Sequence, residues 1–167
     1  MTLTTNRSFL ANNKYEFVID RLPNLKFFSQ SINLPGISLS ASQTPSPYVN
    51  LFTPGNQLTF EQIQLTYILD EDMKSWFELY TWMTNLGNPQ SLNKLGILTK
   101  AAGKQNSVMS DASLLIKTNA NNPNIKISFK DMFPVDLPGF TFSSIEGQDF
   151  LTASATFAYT YYTAEYI

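Results

Sequence analysis

Leu58–Leu86, LTFEQIQLTYILDEDMKSWFELYTWMTNL, changes its hydrophobic period halfway along. In the first part Ile63, Leu65 and Tyr67 alternate with Gln62, Gln64 and Thr66, the two-residue period of a strand with one buried and one wetted face. From Met73 onward the apolar residues Met73, Trp76, Phe77, Tyr80 and Met83 follow helical spacing. A helix is therefore predicted over about residues 72–86, with Trp76, Phe77 and Tyr80 in the core. Asp70 and Asp72 place carboxylates at its positive end and are the predicted cap, while Gly87 and Pro89 stop it.

Outward from this segment the chain reads as strands and turns. Upstream, Lys14–Asp20 and Leu25–Asn33 are predicted strands joined by Arg21-Leu22-Pro23-Asn24, a hairpin behind an N-terminal arm of residues 1–13. Residues 38–57 carry prolines among Ser, Thr and Asn and are predicted to be a long loop, as are residues 88–111. Downstream, Ala112–Thr118 and Asn124–Lys130 flank a polar turn and read as a second hairpin, and Phe140–Ser144 as a brief strand. Phe150–Tyr162 gives the clearest alternation, with Phe157 on a core face and Thr152, Ser154, Thr156 and Thr160 opposite it. The predicted class is mainly β: an antiparallel barrel or sandwich in one domain spanning 1–167, with one flanking α-helix.

Composition narrows the chemistry. Charged residues are 14% of the 167, equal to the aromatics, and the net charge of -2 offers no footprint for gripping phosphates. Cysteine and histidine are both absent, which removes disulfides, thiolates and the commonest metal ligands, so no cofactor or metal is expected. No apolar run approaches the roughly 20 residues that span a bilayer, and the start lacks the apolar core of a signal peptide, so a soluble product made in a cytoplasm is expected.

Candidate sites have ordinary structural explanations. Asp70, Glu71 and Asp72 cluster as a hydrolase or metal site would require, but a helix start accounts for them more simply. A hydrolase built on Glu61, Asp70 and Glu78 needs two of them to converge in a pocket. Tyr159, Tyr161 and Tyr162 suit a carbohydrate-binding sandwich, although alternating strand aromatics usually pack across strands. The uncharged wet face of the last strand leaves its edge unguarded, which fits a protein whose edges are joined by assembly.

The order of segments resembles the tail tube proteins of contractile-tailed bacteriophages over nearly the whole chain. The resemblance is carried by KYEFVIDRLPNLKFFSQSINLPG, by Thr53-Pro54-Gly55 before LTFEQIQLTYILDEDMKSWFELYTWM, by ISFKDMFPVDL, and by FSSIEGQDFLTASATFAYTYY. It implies a non-enzymatic virion protein whose hexameric rings stack into the inner tail tube, the conduit for DNA. It implies partners in the sheath, baseplate and terminator, and assembly in the host cytoplasm. A baseplate or terminator subunit forming one ring is the alternative. On this reading Gln62, Gln64, Thr66, Thr152, Ser154, Thr156 and Thr160 are candidate lumen residues, because passing DNA calls for wetted walls without dense positive charge. Leu39, Pro45, Pro47, Tyr48, Pro54, Leu95 and Leu98, in the two long loops, are candidates for ring stacking.

Overall fold

A computed structural model describes residues 8–87, 108–143 and 150–167. In chain order the elements are β1 (Tyr15–Ile19), α1 (Leu25–Phe28), β2 (Ser29–Ile32), β3 (Ile37–Thr44), β4 (Leu51–Phe60), β5 (Ile63–Ile68), α2 (Lys74–Leu86), β6 (Ser110–Lys117), β7 (Pro123–Asp136), β8 (Thr152–Ala158) and β9 (Tyr161–Tyr166). All strand pairs are antiparallel, in the ladder β1-β6-β7-β8-β5-β2, with β9 also on β7 and β3-β4 forming a separate pair. The mainly β architecture with one long flanking helix is the expected one.

The long strand β7 joins two sheets. Residues Ile125–Lys130 lie between β6 and β9, while Phe133–Asp136 pair with β8. The strand bends at Asp131, which has a positive φ of 56°. The neighbouring chain turns at the same level, leaving β8 at Ala158 and starting β9 at Tyr161, with the Thr160 N–H donating to the Lys130 carbonyl at 3.0 Å. The two halves thus fold over a common core: Phe17 and Ile19 of β1, Leu114 of β6, Phe129 of β7, Ile63, Leu65 and Tyr67 of β5, and Ala155 and Phe157 of β8. Leu79 and Trp82 of α2 complete it.

Several expected elements take another form. Lys14–Asp20 and Leu25–Asn33 do not make a hairpin: β1 pairs with β6, β2 pairs with β5, and Leu25–Phe28 is a helical turn. Leu22 and Leu25 are fully buried there, so the connection serves as a core plug between two sheets. Most of the expected 38–57 loop is the hairpin β3–β4. The strand expected over 58–69 is interrupted at Glu61 and Gln62, and the one over 150–162 is divided between two sheets. Residues 140–143 form no strand, and 88–107 lie outside the described residues. Among the described residues no helix is long and apolar enough to cross a membrane.

The helix reverses the expected facing. Ser75, Leu79 and Trp82 are its buried residues, whereas Phe77 is 53% and Tyr80 48% exposed and Trp76 is half-buried. The most apolar stripe of α2 therefore points away from the core, and a narrower stripe one residue behind it supplies the packing. Phe157, by contrast, is fully enclosed.

Tyr67 sits in the centre of this core with no exposure, and its hydroxyl has no hydrogen-bond partner among the described residues. Burial pushes its pKa up to about 12. A buried hydroxyl without a partner opposes folding by roughly 1–3 kcal/mol. Tyr67→Phe is therefore expected to leave stability unchanged or raise it, whereas Phe157→Ala should lower it by about 3–5 kcal/mol; chemical denaturation of the two variants tests this contrast.

Candidate assembly surfaces

The outer face of β2, β5 and β8 is mostly polar, with the carboxylate of Asp136 in β7 standing opposite Thr156 at its margin. Antiparallel partners share a face, and the register sets Ser31 opposite Thr66, Thr66 opposite Ser154, and Gln64 opposite Thr156. Thr152 continues the row opposite Ile68. Alternation puts Ile63, Leu65, Tyr67, Ala153, Ala155 and Phe157 on the other side, in the core. The predicted lumen residues Gln64, Thr66, Thr152, Ser154 and Thr156 are thus brought together. Gln62 and Thr160 are not in these strands: Gln62 precedes β5, its carbonyl accepting from the Asn33 Nδ2 at 3.4 Å, and Thr160 is at the corner after β8. Ser31 belongs to the row and was missed, because the short β2 shows little alternation of its own.

The β3–β4 hairpin projects as an arm, exposed along both strands. Its base is closed by Glu61, whose N–H donates to the Gly36 carbonyl at 3.1 Å and whose carboxylate accepts from the Gly36 N–H at 3.1 Å. The register pairs Ile37 with Phe60, Leu39 with Leu58, Ala41 with Pro54 and Gln43 with Phe52 on one face. Ser38 with Thr59 and Ser42 with Thr53 lie on the other. A bulge separates the two halves, where Gly55 passes so close to Ser40 that a Cβ would lie 2.2 Å from its Oγ and 2.7 Å from its carbonyl oxygen. No Asp, Glu, Lys or Arg occurs from Ile37 to Phe60. Of the predicted stacking residues, Leu39 and Pro54 lie on the apolar face, Pro45, Pro47 and Tyr48 at the tip, and Leu95 and Leu98 outside the described residues.

At the start of α2, Asp70 supplies the capping contacts and Asp72 does not. The Asp70 carboxylate accepts from the Lys74 N–H at 3.2 Å and from the Ser75 hydroxyl at 3.2 Å. Asp72 instead pairs with the Lys74 ammonium at 2.7 Å. Between them Met73 takes a left-handed conformation, φ 52°, as its N–H donates to the Asp70 carbonyl. Desolvation raises the Asp70 pKa, but the hydrogen bonds from Lys74 and Ser75 outweigh it and leave the carboxyl below its ordinary value.

Outside α2 the Trp76 ring stacks on Tyr80 at 5.2 Å and meets Phe77 at 5.3 Å and Phe140 at 6.1 Å edge to face, with Phe142 a further 5.4 Å beyond Phe140. Phe142 is 74% exposed.

The carboxylates considered for catalysis have separate duties. Glu61 closes the arm, Asp70 caps α2, and Glu78 accepts from the Asn24 Nδ2 at 2.5 Å. Nor do the tyrosines form a flat platform: Tyr159 and Tyr162 are packed edge to face or tilted against Phe60 and Phe129, leaving Tyr161 outside the cluster. Among the described residues no three Asp or Glu side chains come together as a metal site.

Fold and surfaces together define a class: a folded-over antiparallel β protein with one flanking helix, a projecting hairpin and a broad, mostly polar outer face. The chain belongs to the phage tail tube protein family, whose model matches residues 2–165. It is 28% identical over 142 residues to the tail tube terminator protein of Enterobacteria phage T4, a match covering 82% of this chain and 76% of that protein. A chain of the anti-feeding prophage cap has the same fold, with a TM-score of 0.68, 12% identity and coverage of 99% and 97% of the two chains. So does a chain of the sheath–tube complex of an extracellular contractile injection system, with a TM-score of 0.68, 14% identity and coverage of 99% and 100%.

The cap has a pH signature. A carboxylate whose folded pKa is depressed stabilises above its unfolded value and ceases to do so as pH falls through the folded one. Asp70→Ala should destabilise by about 1 kcal/mol at pH 7. The difference from the parent should shrink as pH drops below the ordinary carboxylate value of 3.8, as followed by denaturant titrations at neutral and acid pH.

Proposed function

We propose that this chain closes into a hexameric ring that ends the tail tube of a contractile phage tail. The observation that carries this reading is the match over most of both chains to the T4 tail tube terminator protein. Likeness in fold to a chain of the anti-feeding prophage cap supports it. A second reading, in which the rings stack into the main tube, is favoured by the likeness to a chain of a sheath–tube complex and by the exposed arm, whose strands of 8 and 10 residues lie apart from the core.

In either reading the subunit is not an enzyme and works through surfaces. Ring closure brings the β2-β5-β8 sheets of successive copies around one lumen, lined by Gln64, Thr66, Thr152, Ser154 and Thr156 with Ser31. Hydroxyl and amide groups keep such a wall wet, and the lack of positive charge avoids the multiple phosphate contacts that would hold DNA in passage. Sheath and neighbouring tail proteins take the outside of the ring.

Negative-stain electron microscopy over a range of concentrations should show uniform rings. Rings that stay single support the terminator, long hollow stacks support the main tube, and a persistent monomer counts against both. The lumen is testable because the chain has no cysteine of its own. Thr156→Cys in assembled rings should react with a small maleimide and be protected from a bulky polymer-linked one, while the free subunit reacts with both; equal reaction in the ring would place Thr156 on the outside.

A further inference from the structure

The β3–β4 arm continues the β2–β5 pair across a gap in the ladder. Ile32 pairs with Leu65 on the body side and Ile37 with Phe60 on the arm side, so both strands cross the gap in equal steps, 32 to 37 and 60 to 65. Pro35 has no N–H to give there, and side chains stand in for the backbone. On the body side the Asn33 Oδ1 accepts from the Gln64 N–H at 2.5 Å and its Nδ2 donates to the Gln62 carbonyl at 3.4 Å. On the arm side the Glu61 carboxylate accepts from the Gly36 N–H at 3.1 Å. A ribbon that keeps its register across a few unpaired residues at the ends of its strands bends at those residues.

Beside this hinge lies a hydroxyl with nothing to bind. The Phe60 ring, one residue before Glu61, packs on Tyr159 at 6.0 Å and on Tyr162 at 5.5 Å. The Tyr162 hydroxyl donates to the Pro35 carbonyl at 3.4 Å, whereas the Tyr159 hydroxyl is sheltered from water and has no partner among the described residues. Burial, with Tyr162 and the Glu61 carboxylate nearby, pushes the Tyr159 pKa up to about 12, so the group stays a donor. A sheltered donor without an acceptor opposes folding more than an exposed one does, because water satisfies the exposed one. Glu61 is itself exposed, and its carboxylate ends a flexible side chain.

We infer that the arm has two resting positions, set by which donor holds the Glu61 carboxylate: the Gly36 N–H, as in this structure, or the Tyr159 hydroxyl, with the arm swung about the gap toward the β8–β9 corner. Phe60 stays between the two tyrosines and acts as the pivot. The exchange gives up an exposed hydrogen bond and gains a sheltered one, which keeps the two positions close in free energy. Both belong to a single chain, so the inference goes beyond the ring reading and does not depend on it.

Gly36 makes the first position possible. A Cβ there would lie 2.8 Å from the Glu61 Oε2 and 3.0 Å from its Cδ, and its three nearest neighbours are all atoms of that carboxyl group. Gly36→Ala therefore evicts the carboxylate without pressing on the backbone.

With no native cysteine, spin labels can be placed at Ser42→Cys on the arm and Thr163→Cys on β9. The labelled full chain is diluted into unlabelled parent, and pulsed electron paramagnetic resonance then reads distances within one molecule. The parent should give a main distance and a minor second one. Gly36→Ala should make the second distance the major one, and Tyr159→Phe should abolish it. Glu61→Ala, a change at an exposed site, should replace both by one broad distribution. A distribution that Gly36→Ala leaves unchanged, or a second distance that survives Tyr159→Phe, would overturn the two-position latch. So would one narrow distance shared by the parent and all three variants. Microscopy of the same samples reports ring formation separately, so failure of the latch and failure of the ring reading are told apart.

Discussion

Asp111 holds the corner on which the two-sheet arrangement depends. Its carboxylate accepts from the Asp131 N–H at 3.4 Å and pairs with the Lys130 ammonium, and its carbonyl accepts from the Asp20 N–H at 3.2 Å. One residue at the start of β6 thus ties the end of β1 to the bend of β7. The bend is costly, since a left-handed conformation at a non-glycine residue opposes folding by roughly 1–2 kcal/mol. It persists because the halves on either side of it bury Phe129 and Met132 in the same core. Without the turn at Asp131, β7 would run straight, β8 and β9 would form one strand along it, and neither half could cover the other.

That corner explains much of what pattern reading could and could not see. Local alternation showed β5, β6, β7 and β8 plainly, because each has a strict inside and outside: Ile63, Leu65 and Tyr67 against Gln64 and Thr66, and Ala153, Ala155 and Phe157 against Ser154 and Thr156. The division of residues 150–162 was hidden because alternation survives a change of sheet. Tyr159 and Tyr162 both pack against Phe129 although the chain turns between them. The supposed hairpin of residues 14–33 failed for a related reason. Its two strands are neighbours in sequence but lie at opposite ends of the ladder, and nothing local reveals a partner about a hundred residues away, as Tyr15 finds in Ile116.

The helix was misread through the assumption that the largest apolar side chains mark the core, and the arm through its prolines. In α2 the core positions are Ser75, Leu79 and Trp82, where Ser75 is fully buried yet satisfied by Asp70. The stripe through Trp76, Phe77 and Tyr80 is broader and more aromatic, but it is exposed. In the arm, the alternation of Ile37, Leu39 and Ala41 with Ser38, Ser40 and Ser42 was present in the sequence. It was obscured by Pro45, Pro47 and Pro54, which fall at the tip and beside the bulge, places where a strand tolerates proline. Both segments thus leave apolar side chains exposed, the arm along both strands and α2 on the face opposite Leu79 and Trp82.

The two-faced arm also restricts how such a chain can change length over evolutionary time. Side chains alternate strictly along a strand, so one residue inserted between Ile37 and Leu39 would carry every later apolar side chain of that strand to the hydroxyl side. Gain or loss in steps of two, matched on both strands, keeps the phase. The tip between Thr44 and Leu51 is free of that restriction, since it lies outside the ladder. Related chains should therefore differ in arm length by even steps within the paired region and by any number at the tip, a parity rule written into the lengths of sequences and not into their composition.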